Sequence, residues 1–196
     1  GVDVPLARGA WPLVSASPVP YGPGLQTPAE LDEQGMERVR AAFADAAARA
    51  ARAGFAALEL DMAEGRLLAS FLSPRSNRRT DDYGRDRLRF PLSVLAAVRE
   101  AWAGPLIARV DAVAIAAAAR DAGADAVHVV AGRNAEYGRG HLTDAADRVR
   151  AATGAPTLVG GYLTTLDEVN TIVGAGRADL CVVEPAALAT EGGTQA

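Results

Sequence analysis

Two carboxylates three residues apart, Asp61 and Glu64, follow the expected strand 55–60, and Arg66 comes two residues later. Such a pair can divide into acid and base when one member is buried more deeply than the other. It can also offer oxygen ligands to a hard cation, and Glu64 with Arg66 can form a plain solvated ion pair at a strand end. Arg109 lies near the end of a second apolar run, and Gly160 and Gly161 follow a third. A glycine after a strand lets a phosphate approach the backbone, and it is also the routine residue of a turn. His128, in an apolar run, reads as a satisfied core histidine, and His141 is isolated in a loop, so neither supports a metal-ligand set. The single cysteine, Cys181, sits in the apolar run 180–183 and reads as core filler rather than a nucleophile. The chain has no G-x-G-x-x-G pattern and no lysine, so it carries neither a dinucleotide fingerprint nor a phosphate-loop lysine.

The elements that must position these residues alternate between strand and helix. Residues 32–53 carry Met36, Val39, Phe43 and Ala47 at helical spacing, and Gly54 supplies the stop. A strand is expected over 55–60, then a helix over 88–102 with Phe90, Val94, Leu95 and Val98 on one stripe. Gly104 and Pro105 end that helix, and a strand follows over 106–110. The helix 112–121 is expected to be capped by Asp111 and stopped by Gly123. Strand 125–130, helix 143–153 with Thr143 as cap and Gly154 as stop, strand 157–159, helix 165–174 and strand 180–183 complete the series. This rhythm predicts a parallel sheet with right-handed crossovers, and the strands have the apolar character of buried parallel strands. Two stretches lack it. Residues 1–28 read as one strand (13–15) within a Pro- and Gly-rich loop, and 73–87 read as a long polar loop. About six strands emerge, whereas a closed (β/α)8 barrel needs eight and about 250 residues. The pattern therefore fits either an open doubly wound sheet or a barrel lacking two βα units.

Composition narrows the function classes. The chain has 196 residues, 49% of them hydrophobic, which suits one domain with a sizeable core. The net charge is −4 and no basic block occurs, so nucleic-acid binding has no electrostatic support. No apolar stretch approaches the roughly 18 residues of a membrane span. With one cysteine and no signal-peptide pattern, the expected compartment is a reducing cytoplasm.

A series of local motifs decides between the architectures. Ala16-Ser17-Pro18-Val19-Pro20 with Gln26-Thr27-Pro28, then Leu58-Glu59-Leu60 with Gly65 and Phe71-Leu72-Ser73-Pro74, recur in the same order in flavin oxidoreductases of the Old Yellow Enzyme type. Asn77-Arg78-Arg79-Thr80-Asp81-Asp82-Tyr83-Gly84 is similar to that family's most specific signature. Ala122-Gly123-Ala124-Asp125, Gly132, Tyr137-Gly138-Arg139 and Gly176-Arg177-Ala178-Asp179 extend the resemblance along nearly the whole chain. Its flavour is that of the C-terminal reductase-like part of bifunctional salicylyl-CoA 5-hydroxylase and 2-aminobenzoyl-CoA monooxygenase/reductase proteins. The resemblance implies an FMN-binding (β/α)8 TIM-barrel type of domain, truncated to strands 3–8 with parallel strands and outer helices. Residues 1–196 would form a single partial domain.

What the resemblance implies for the site is specific. NAD(P)H would reduce FMN, which then serves an activated alkene or similar acceptor. The family's paired donors after the fourth strand fall on Asp61 and Glu64, and its proton-donating tyrosine falls on Arg66. Ionised carboxylates accept hydrogen bonds and cannot donate them, and a guanidinium stays protonated and is a poor general acid. Arg109 matches the arginine at the polar edge of the flavin. Gly132, Gly160 and Gly161 match cofactor-binding positions. The phosphate clamp after the eighth strand falls on Glu184 and Pro185, which add a negative charge and remove an N–H. No metal site is implied. The implied partners are an aromatic acyl-CoA-type small molecule, and another domain, subunit or second copy that supplies the absent strands. The competing reading is a degenerate barrel acting as scaffold or docking module beside a flavin monooxygenase.

Overall fold

The computed structural model describes residues 11–131, 142–161 and 163–183. In chain order the elements are β1 (Val14–Ser15), β2 (Ala29–Glu30), α1 (Glu33–Arg52), β3 (Leu58–Asp61), α2 (Leu67–Leu72), α3 (Asp82–Arg85) and α4 (Arg89–Ala101). They continue with β4 (Leu106–Val110), α5 (Val113–Asp121), β5 (Ala126–Val129), α6 (Thr143–Thr153), β6 (Thr157–Val159), α7 (Leu166–Gly174) and β7 (Leu180–Cys181). Contacts divide the chain into two compact units. The first is Gly1–Phe55 with Gly65–Ala103, and the second is Ala56–Glu64 with Gly104–Ala196.

In the first unit β1 and β2 form a two-stranded parallel sheet. Helix α1 starts where expected, because the Asp32 side chain accepts the Gly35 N–H, and Gly54 follows it with φ 80°. Its buried Met36 and Ala47 belong to the face that meets α4, whose stripe of Phe90, Val94, Leu95 and Val98 is buried as the spacing predicts. Phe71 of α2 packs on Phe90 with ring centroids 4.5 Å apart. Two short helices are additions to the expected series: α3 lies within the expected loop 73–87, and α2 lies in a stretch to which the sequence pattern assigns no element. Six and four residues are too few to display a helical period.

The 77–84 signature holds this unit together. The buried Asn77 donates its amide N–H groups to the carbonyls of Phe71 (2.8 Å) and Tyr83 (2.9 Å). Arg79 donates to the carbonyls of Leu31 (2.7 Å) and Ala16 (3.2 Å) and pairs with Asp81. Gly84 leaves no room for a side chain, since a Cβ there would lie 2.0 Å from the Arg79 carbonyl oxygen. The motif is thus a loop-fixing network that ties three separate segments by their backbone.

The second unit contains a five-stranded sheet in the order β3-β4-β5-β6-β7, every pair parallel. The fold class expected from the strand–helix rhythm is the one observed. Strand β4 alternates buried and half-buried along its length, which separates two faces. Leu60, Leu106, Ala108, Val110, Val127 and Val159 lie on the buried face, and α5 and α6 contact these strands. The opposite face carries Glu59, Asp61, Ile107, Arg109, His128 and Leu158, because register partners share a face.

Two expected caps are corrected. Helix α5 is preceded by Ala112, not Asp111, as N-cap, and it has no side-chain cap bond. Ala112 is the residue with extended backbone, φ −149° and ψ 143°, so the aspartate lies one position too early. Helix α6 has Leu142 as N-cap, and Thr143 is its first helical residue, buried rather than turned toward the free amides. The stop at Gly154 is as expected, with φ 62°. Strand β3 is shifted toward Asp61 relative to the expected 55–60 because Phe55 is solvent-exposed.

Candidate functional site

The C-terminal ends of parallel strands are where α/β folds collect functional groups. In the second unit the last residue of β3 is Asp61, and the register sets it beside Arg109, which is set beside His128. Adjacent strands stand about 4.8 Å apart, so these three side chains form one row. Glu59 lies one row back on the same face, two residues before Asp61.

Arg109 is the centre of the row. Its Nη1 donates to Asp61 at 3.0 Å, its Nη2 donates to Glu64 at 2.6 Å, and its Nε lies 3.9 Å from Glu59. The Arg109 side chain is 16% exposed, against 29% for Asp61 and 40% for Glu64. Burial alone would pull the Arg109 pKa down. Hydrogen bonding and charge from Glu64 and Asp61 more than offset that, so its pKa lies above the usual arginine value. Nδ1 of His128 is 2.8 Å from Glu59 Oε2. Three carboxylates therefore surround one guanidinium and one imidazole, and the cluster is net negative.

Local backbone chemistry places the carboxylates. Asp61 ends a strand whose next residue, Met62, continues the ladder by donating its N–H to the Arg109 carbonyl at 2.9 Å. The Asp61 side chain also accepts the Ala63 N–H at 3.0 Å. Glu64 then turns the chain with φ 57°, and it is the one non-glycine with positive φ among the described residues. That conformation costs a non-glycine residue roughly 1–2 kcal/mol. A solvated ion pair returns about 0.2–1 kcal/mol. The contact to Arg109 is thus held at a local backbone cost.

Sequence reasoning named Asp61, Glu64 and Arg109 separately, and the structure brings them together. Glu64, for which a solvated pair with Arg66 is the plainest sequence reading, is ion-paired with Arg109. Arg66 belongs to the first unit and is the N-cap residue of α2, with no side-chain cap bond. Gly160 and Gly161 follow β6. Gly160 is buried, and Gly161 takes φ 102°, a conformation open to glycine. Gly132, Tyr137, Gly138, Arg139, His141, Glu184 and Pro185 lie outside the described residues. Glu59 was missed. The signal was available, since a residue two before Asp61 on one strand must share its face. His128 is buried, as a core histidine should be, and is bonded to that missed glutamate. Burial pushes the Cys181 thiol up from its ordinary value, which disfavours the thiolate and fits a packing role. Among the described residues no group of three or more His, Cys, Asp or Glu could hold a metal ion, and no helix is long and apolar enough to cross a membrane.

Comparison with known proteins gives the site its context. Residues 22–114 match the profile of the NADH:flavin oxidoreductase / NADH oxidase family. The chain is 33% identical to an NADPH dehydrogenase of Geobacillus thermodenitrificans over 188 residues, which cover 86% of this chain and 55% of that protein. The chain spans about half the length of such curated relatives. Among solved structures it resembles the 6-hydroxypseudooxynicotine amine oxidase of Pseudomonas geniculata N1, with TM-score 0.79 and 24% identity over 95% of this chain and 32% of that one. It also resembles morphinone reductase, with TM-score 0.71 and 24% identity over 88% of this chain and 55% of that one. These neighbours are Old Yellow Enzyme-like TIM barrels, and the present chain covers part of such a barrel.

Proposed function

The chain belongs to the NADH:flavin oxidoreductase / NADH oxidase family, and on that premise we propose that residues 1–196 form the FMN-binding part of a flavin oxidoreductase barrel that has lost the family's usual way of activating an alkene. One observation carries this reading: Arg109 is forked between Asp61 and Glu64. In the family's scheme those two positions donate hydrogen bonds to a substrate carbonyl. Here they hold acceptors, and both point at a cation of the same chain. An enolate-like oxygen brought to this row would meet net negative charge instead of an oxyanion hole.

The described residues fit FMN unevenly. Gly161, half-buried and with positive φ just after β6, would give a phosphate access to backbone, whereas Gly160 beside it is buried against Val182. Arg109 would serve the flavin ring, but its guanidinium is already bonded on both terminal nitrogens. FMN, when bound, supplies two-electron hydride chemistry with NAD(P)H as the reductant. What the chain itself would contribute is position through the backbone at Gly161, and charge through Arg109 and its carboxylates.

The resemblance in motifs to bifunctional aromatic acyl-CoA hydroxylase/reductase proteins suggests an acyl-CoA-type small molecule and a cytoplasmic setting. A further part of the polypeptide, a partner subunit or a second copy would complete the barrel. Leu180 at 58% exposure and Val182 at 44% are what a strand beside β7 would cover. The second reading, a scaffold beside a flavin monooxygenase, is favoured by the same fork, because it removes substrate activation without disturbing the sheet. A visible-absorbance titration with FMN separates the two. A yellow protein with a Kd in the micromolar range or below supports the oxidoreductase reading. A protein that stays colourless at saturating FMN supports the scaffold.

A further inference from the structure

The fork does more than replace substrate donors. We propose that it is a charge lock on the flavin site, with Glu64 as the member that opens. This inference rests on the FMN reading above.

The two carboxylates are not equivalent. Asp61 is fixed within the sheet: it is the register partner of Arg109, its carboxylate also accepts the Ala63 N–H, and it is the more buried of the two. Glu64 lies beyond the strand end, carries the left-handed backbone and is the more exposed. Release of Glu64 lets its backbone leave that strained conformation, whereas release of Asp61 breaks into the end of a paired strand. With Glu64 away, Asp61 still matches Arg109 one to one, Glu59 keeps His128, and Arg109 Nη2 turns to a ligand acceptor. With Glu64 in place, that donor is occupied and the cluster carries one further negative charge. Both features oppose a ligand that is itself anionic, as FMN is through its phosphate. The lock therefore lowers FMN affinity, and the internal carboxylate competes at the high effective concentration of an intramolecular group.

The test is FMN affinity measured by quenching of flavin fluorescence, on the wild-type protein and on Glu64→Gln, Glu64→Gly and Arg109→Met, with circular dichroism to confirm folding. Glutamine removes the charge at constant size, and glycine removes the side chain and accepts the positive φ. The lock predicts at least tenfold tighter FMN binding in both Glu64 variants, and no gain from Glu64→Gln once Arg109 is methionine. Binding by a Glu64 variant where the wild type binds none gives the same support. Equal affinity in wild type and both Glu64 variants overturns the lock and leaves the FMN reading standing. A gain that persists without Arg109 also overturns it, since the effect would then be general repulsion. If neither wild type nor variants bind FMN, the lock and the FMN reading fall together.

Discussion

At Glu64 a glycine should be better tolerated than an alanine, which is the reverse of the order at most positions. Both substitutions remove the carboxylate from Arg109, but alanine keeps the penalty of φ 57° while glycine does not. Urea unfolding should find Glu64→Gly more stable than Glu64→Ala by about 1–2 kcal/mol; equal stabilities would show that the turn relaxes. Arg109→Met should destabilise the fold by about 1–3 kcal/mol, because it leaves the half-buried Asp61 and Glu64 side by side without their guanidinium. Adding Asp61→Asn and Glu64→Gln to that variant should recover most of the loss, and a failure to recover would place the role of Arg109 in packing. These residues were individually visible in the sequence as chemistry-bearing types. Their union was not, because it depends on the β3–β4 register, which sets Asp61 opposite Arg109 across a long sequence separation. An expected strand over 55–60 also stopped one residue short of Asp61, which hid Glu59 as its companion on the same face.

The strands themselves are pinned by a device used twice. Asp125, just before β5, accepts the Leu106 N–H at 2.9 Å and donates its own N–H to the Leu106 carbonyl at 2.7 Å. Asp179, just before β7, does the same to Thr157 at 2.9 Å in each direction, and Arg150 of α6 donates to its carboxylate. Each aspartate therefore sets the start of one strand against the start of the strand before it. The Ala-Asp pairs that carry them were read in the sequence only as matching motifs. Asp179→Ala should cost about 1 kcal/mol in urea unfolding, the scale of a partly exposed hydrogen-bonded group. The pH dependence has a definite sign. The Arg150 hydrogen bond, and then the Thr157 N–H, hold the Asp179 carboxyl below its ordinary value. Its stabilisation is thus fully present above the unfolded pKa of about 3.9 and is lost as pH falls through the lower folded value. Stability measured from pH 6 down to pH 2 should fall less steeply in Asp179→Ala than in the wild type, and parallel curves would contradict this. Strands β4 and β6 and the extents of α1, α4 and α6 were legible because apolar period and glycine stops agreed there. The short β2, α2 and α3 were not, since each is fixed by contacts and the 77–84 hydrogen bonds rather than by a pattern of its own.

For the whole molecule, the sheet order β3-β4-β5-β6-β7 among the described residues is that of an open ribbon with β7 at one end. Hydrogen exchange in the chain as it stands should be faster in β7, which has a strand on one side only among the described residues, than in β4 and β5, which have a strand on each side. Protection of β7 equal to that of β4 in a monomer would count against the proposal that a further strand covers it. The likeness to the family, the partial barrel and the net-negative row around Arg109 support the proposal of a flavin-oxidoreductase frame without the ordinary substrate chemistry. The most direct test is NADPH consumption with 2-cyclohexenone as acceptor under anaerobic conditions at saturating FMN. Wild type should be compared with the Asp61→His, Glu64→His double variant, which restores hydrogen-bond donors. Loss of one such donor commonly costs about 10²–10³ in rate. Enone-dependent turnover in the wild type should lie at least about a hundredfold below that of the double variant. Wild-type turnover equal to or above that of the variant would contradict it.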